Sequence, residues 1–131
     1  MVPQSDTASQ GLDVAGPPDA PPIVLVHGAV FTRKMWVPQR EHLSGEFRVI
    51  APDLPGHGAR SEWDFRLRTA VELVGNVIEE VGGSAYLVGL SLGGYVATMY
   101  AGHHPESVDG LVISGSSANP VRSFNALSRG I

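Results

Sequence analysis

Four short apolar runs punctuate the chain from residue 23 onward: IVLV at 23–26, RVIA at 48–51, AYLV at 85–88 and GLVIS at 110–114. They are continuous rather than alternating and rich in Val and Ile, the pattern of strands covered on both faces. Between them, apolar positions recur every three or four residues, the period of a helix with one buried face. Over 67–81, Leu67, Ala70, Val71, Val74, Val77, Ile78 and Val81 share such a face, and Gly82 with Gly83 stops it. A short helix is predicted around 35–43, starting near Trp36, and a third over about 92–104, closed by Pro105.

Strands alternating with helices imply right-handed crossovers, hence an α/β fold with a doubly wound, mostly parallel sheet and helices on both faces. Residues 1–22 read as a flexible N-terminal segment: residues 1–11 are small and polar, Leu12 to Ala15 form a short extra strand, and PPDAPP at 17–22 stiffens the entry. The core then runs over 23–117, leaving 118–131 as a further segment. Parallel sheets of this kind bind ligands at the carboxyl ends of their strands. Three loops fall there: VHGAVF, PDLPGHGARS and GLSLGG.

The last of these raises the question of chemistry. Ser91 in GLSLGG matches a GxSxG pattern, but with 16 glycines in 131 residues the pentapeptide alone is weak, and a glycine-rich turn without chemistry is the competing reading. Context strengthens it, because a strand ending near Val88 and a helix starting near Leu92 would lift the Ser91 hydroxyl over the positive end of the helix. Gly89 and Gly93 keep side chains out of that corner. A serine attacking an acyl carbon also needs donors for the oxyanion. The backbone N–H of Leu92 is one candidate, and Gly28 allows a tight turn that brings the Ala29 N–H toward the same place.

IVLVHGA, VIAPDLPGHGARS, YLVGLSLGGYVA and HHPESVDGLVISGS, in this order and spacing, resemble the N-terminal half of an α/β-hydrolase over about residues 12–117. The resemblance implies that 23–117 is the nucleophile half of the hydrolase core, that Ser91 is the nucleophile, and that the N–H groups of Ala29 and Leu92 form the oxyanion hole. It also implies carboxylesterase-like chemistry on a small acyl substrate, an ester or thioester, since the dehalogenase and epoxide hydrolase branches carry aspartate at this corner. No cofactor is implied.

In that family the acid and the histidine of the triad follow the serine. After Ser91 this chain offers only His103, His104, Glu106 and Asp109, and both histidines lie one helix length away, roughly 15–20 Å at 1.5 Å per residue. Residues 114–119, SGSSAN, where some relatives place the acid, hold no carboxylate. The expectation is therefore a truncated chain, with 118–131 as the start of a cap, that is inert or nearly so. A non-catalytic relative binding a small apolar ligand, or an inert fragment, is the alternative, so enzyme activity is left open. The strand at 110–114 would then be an exposed apolar edge that invites self-association.

Other polar residues read as supports. His27 is expected to fix the oxyanion loop, His57 to brace a loop near the pocket, His42 to lie at the surface, and Asp53 to brace the DLPGHG turn with Arg60 or Ser61. Phe31, Met35, Trp36 and Tyr95 are either acyl-pocket walls or plain core. Net charge is −4, and the basic residues are scattered, which argues against nucleic acid and anionic membranes as partners. The chain has no cysteine, no apolar run of membrane-spanning length and no signal-like start, so a cytoplasmic location is expected.

Overall fold

The computed structural model describes residues 10–116. Its five strands are β1 (Leu12–Ala15), β2 (Pro22–Val26), β3 (Arg48–Pro52), β4 (Ala85–Leu90) and β5 (Val108–Ser114), and its three α-helices are α1 (Val37–Leu43), α2 (Leu67–Glu80) and α3 (Leu92–His103). The strands form one sheet in the order β1-β3-β2-β4-β5. β2 through β5 are parallel to their neighbours, and β1 is antiparallel to β3, with Leu12 opposite Pro52 and Ala15 opposite Val49. Residues 1–9 of the N-terminal segment, and 118–131 read as the start of a cap, lie outside the described residues. Among the described residues, no helix is long and apolar enough to cross a membrane.

The continuous apolar runs are explained by two separate cores. On one face, Val24, Val26, Ile50 and Leu87 pack with Ala70, Leu73, Val74 and Ile78 of α2 and with Leu92, Val96, Ala97 and Tyr100 of α3. On the other, Ile23, Leu25, Val49 and Ala51 pack with Trp36 and Leu43, beside α1. Adjacent residues of β2 thus serve opposite layers, and each fully buried Val or Leu contributes about 1.5–3 kcal/mol. α1 is preceded by a 3-10 turn, Arg33–Trp36, so helical structure begins earlier than Trp36. Thr32 caps that turn by accepting from the Lys34 N–H at 3.2 Å.

α2 is built as its periodicity predicts, with Leu73 added to the buried face because the helix packs against α3 as well as the sheet. It ends where the backbone passes to positive φ at Gly82 (114°) and Gly83 (93°). Pro22 stands at the first position of β2, where its missing N–H costs no ladder bond, while Arg48 donates to the Pro21 carbonyl at 3.0 Å.

α3 differs from α2: its outward face carries Tyr95, Met99 and Gly102 instead of charged residues, so it has little amphipathic character. Its two N-terminal glycines let it approach the sheet closely. A Cβ on Gly93 would stand 2.1 Å from the Val26 carbonyl oxygen and 2.5 Å from that of His27. This contact pulls the start of α3 onto the carboxyl end of β2, and it determines what lies beside Ser91.

Candidate active site

The three predicted loops meet at the carboxyl ends of β2, β3 and β4. At the β4–α3 corner Ser91 has φ 52° and ψ −113°, the only non-glycine residue with positive φ among the described residues. Four hydrogen bonds hold this disfavoured conformation. The Ser91 N–H donates to the Ser114 carbonyl at 2.8 Å, and the Ser91 carbonyl accepts from Gly94 N–H (2.9 Å), Tyr95 N–H (3.2 Å) and the Ser116 hydroxyl (2.9 Å). Gly89 makes the corner sterically feasible, since a Cβ there would lie 2.3 Å from the Gly93 carbonyl oxygen. Ser91 is exposed, and its hydroxyl has no hydrogen-bond partner among the described residues.

Directly after it, Leu92 opens α3, where backbone N–H groups have no acceptor within the helix. The 27–31 loop comes alongside: a Cβ on Gly28 would be 3.6 Å from the Ser91 Cβ. The Gly28 carbonyl accepts from the His27 Nδ1–H at 2.8 Å and from the Phe31 N–H at 3.1 Å. In a trans peptide the carbonyl and the following N–H point in opposite directions, so anchoring the Gly28 oxygen also aims the Ala29 N–H. Ser91, Leu92 and Ala29 are therefore brought to one corner of the molecule.

His27 is fully buried. Its Nε2 accepts from the Leu54 N–H at 3.0 Å, which requires the neutral ring with the proton on Nδ1. Burial is the main force holding its pKa below the ordinary 6.5; the bond to Gly28 opposes this, and nearby His57 adds to it. This ring anchors the 27–31 loop, as the sequence suggested.

Asp53 braces its turn, bonded to the expected Arg60 through its backbone carbonyl but to Arg33 through its carboxylate. Its carboxylate accepts from the Arg33 N–H at 2.7 Å, from the Arg33 guanidinium and from the Ala59 N–H at 3.0 Å. Arg60 instead donates to the backbone carbonyls of Asp53 and Gly11, the latter at 3.1 Å, and lies over the Trp63 ring. Burial lowers the pKa of Arg60 to about 10. For Arg33, burial pulls the pKa down, yet its bonds to Asp13 and Asp53 outweigh that and raise it. Gly58 (φ 55°) is required because a Cβ there would lie 2.4 Å from the Asp53 carboxylate.

Sequence reasoning missed Arg33 and Asp13. Asp13, on β1, accepts from Arg33 Nε at 3.0 Å and pairs with Arg40 at 3.1 Å and Lys34 at 3.7 Å, tying the edge strand to the segment before and within α1. Twenty or more residues separate these partners, so no local pattern announces them. Ser116, whose hydroxyl steadies the Ser91 carbonyl, was missed for the same reason.

Trp36 and Met35 belong to the core, whereas Phe31 is half exposed beside the 27–31 loop. His42 and His104 are at the surface, and His103 lies at the far end of α3 from Ser91. Among the described residues, no three His, Asp or Glu side chains converge to hold a metal ion.

Comparison with known proteins agrees with this fold. The chain is 39% identical over 95 residues to a pimeloyl-[acyl-carrier protein] methyl ester esterase of Vibrio cholerae, covering 72% of this chain and 36% of that protein. It superposes on an esterase from Thermogutta terrifontis with a TM-score of 0.70 and 32% identity, covering 87% of this chain and 44% of the other. A 2-hydroxy-6-oxo-6-phenylhexa-2,4-dienoate hydrolase from Rhodococcus gives a TM-score of 0.71 at 29% identity, covering 82% and 43%. The chain thus spans about a third of the length of the curated esterases it matches. The profile of the alpha/beta hydrolase fold matches residues 21–130, through every strand, corner and helix from β2 to β5, and the chain belongs to that family.

Proposed function

We propose that this chain carries the nucleophile side of a serine esterase. Ser91 attacks the acyl carbon of a small ester or thioester, and the N–H groups of Ala29 and Leu92 take the charge that develops on the carbonyl oxygen. The observation that carries the reading is Ser91 itself, exposed at φ 52° on the first turn of α3 with Gly28 beside it. The similarity to a methyl ester esterase favours an ester among the acyl substrates.

The proton of Ser91 needs an acceptor, and none is in contact with it among the described residues. His27 is buried and bonded at both nitrogens, His57 is held by two carbonyls, and His103 and His104 lie roughly 18 Å along α3. The described residues by themselves supply transition-state donors without a base. Such a site turns over slowly, by about 10⁴-fold or more below one whose base is in place.

The test is labelling of the chain with a fluorophosphonate probe, together with hydrolysis of short p-nitrophenyl esters, beside Ser91→Ala. Slow labelling at Ser91, abolished in the variant, with ester turnover close to the variant's background, is the expected result. Equal labelling of both proteins would sink Ser91 as nucleophile and favour a non-catalytic ligand-binding relative. Fast Ser91-dependent turnover would show that a base does reach it.

A further inference from the structure

His57 occupies an unusual position between two carbonyl oxygens. Its Nδ1 lies 2.9 Å from the Pro55 oxygen and its Nε2 lies 2.7 Å from the Ala29 oxygen. Neither oxygen carries a hydrogen, and a neutral imidazole has a single N–H, so a neutral ring satisfies one of these contacts and sets two lone pairs against each other at the second. Only the doubly protonated ring donates to both.

We propose that His57 is a positioning residue for the oxyanion loop, and that as an imidazolium it ties the Ala29 carbonyl to the Pro55 carbonyl, a tie that is lost with its proton. His27 anchors the Gly28 carbonyl and His57 the Ala29 carbonyl, so the two peptide planes flanking the Ala29 Cα are each held by one imidazole. With the remaining proton on Nδ1, the neutral ring keeps Pro55 and gives up Ala29, which frees the plane that follows Ala29 and loosens the turn closed by the Phe31 N–H on the Gly28 oxygen.

The surroundings permit a charge at this ring. From the end of β2, the His27 ring faces it at 5.0 Å between centroids, and its bond from the Leu54 N–H keeps that ring neutral. From the end of β3, the Asp53 carboxylate packs against Gly58, the neighbour of His57, and is bonded to Arg33. Arg60, in the same loop, is directed to the carbonyls of Gly11 and Asp53. Phe65 contributes an uncharged edge-to-face contact at 5.9 Å.

The consequence for catalysis rests on the reading of Ala29 as an oxyanion donor, but the tie itself is measured without turnover. In the isotope-labelled full chain, the protonation of both His57 ring nitrogens is followed by NMR from about pH 5 to about pH 8. Expected are two protonated nitrogens at the acid end, and movement of the Ala29 carbonyl carbon and the Val30 amide nitrogen with the same midpoint as the ring. Hydrogen exchange of the Phe31 amide, corrected for its intrinsic rate, should quicken by about tenfold across that step.

His57→Gln offers the two N–H donors of its amide to the two carbonyls at every pH and has no proton to lose, so it should abolish the step while retaining Phe31 protection. His57→Ala should lose the protection at every pH. A ring that stays neutral throughout, or loop signals that ignore its titration, would overturn the proposal. So would native Phe31 protection in His57→Ala with the Val24 and Leu87 amides still protected. Failure of Ser91 to label, by contrast, removes the esterase reading and leaves these signals untouched.

Discussion

At residue 91 a serine accepts a backbone conformation that side chains seldom adopt, and four hydrogen bonds, two from the first turn of α3 and two with residues 114 and 116 at the end of β5, keep it there. The motif alone indicated a tight corner, whereas the donors that stabilise it, Gly94, Tyr95 and Ser116, could be identified only from the fold. His27 makes the complementary point. The ring is neutral because Leu54 donates to it and because burial penalises its charge. Its pKa is therefore lower folded than unfolded, so its contribution is complete above the unfolded value of 6.5 and is lost as pH falls below that toward the folded value. Urea midpoints should drop as pH is lowered through this range. His27→Asn, which can still bond the Gly28 carbonyl, should flatten that part of the profile. An unchanged slope in the variant would mean that another group is responsible.

The elements were largely legible because their apolar periods are unambiguous: two-sided strands in β2 and β3, and a clear helical stripe in α2. α3 was recognisable from its position between the corner and Pro105 rather than from its stripe, since its outward face carries apolar or small residues such as Met99 and Gly102 and leaves little contrast between faces. Its glycines divide into two kinds that the sequence does not distinguish. Gly93 abuts the carbonyls of Val26 and His27, while a Cβ on Gly102 would meet nothing within 4 Å. Gly93→Ala must push the helix off β2 and should cost about 3 kcal/mol or more, an overpacking penalty at the high end of the usual range. Gly102→Ala should gain about 0.5 kcal/mol from helix propensity. Thermal denaturation of the two variants checks both signs, and equal effects would mean that α3 does not sit so tightly on the sheet.

On the scale of the whole molecule, β5 is the exposed side of the sheet. Among the described residues it pairs only with β4, and Leu111, Val112 and Ile113 are 40%, 60% and 40% exposed. An apolar edge with free backbone groups is a template for another strand, so two copies of the chain should associate through it. Val112→Lys places a charge at the most exposed of the three and should shift the weight-average mass toward monomer in sedimentation equilibrium. A wild-type chain that stays monomeric at every concentration would exclude the association. At the opposite edge, Asp13 of β1 is engaged by Arg33, Arg40 and Lys34, which tie that strand to the segment leading into α1.

Sequence alone determined the α/β class, the order of the elements, the corner at Ser91 and the two loops that flank it. Those features are written in local terms, as apolar period, glycine placement and proline stops, each spanning a few residues. Tertiary structure alone decided that Arg33 rather than Arg60 neutralises Asp53, that Asp13 joins them, and that two imidazoles grip successive carbonyls of the 27–31 loop. Apart from the bond between the neighbours His27 and Gly28, where the His27 ring is itself fixed by Leu54, these contacts join residues 20 to 28 positions apart. Across such separations, the choice of partner depends on which chain segments the sheet brings within hydrogen-bond reach, and no local pattern in the sequence encodes that distance.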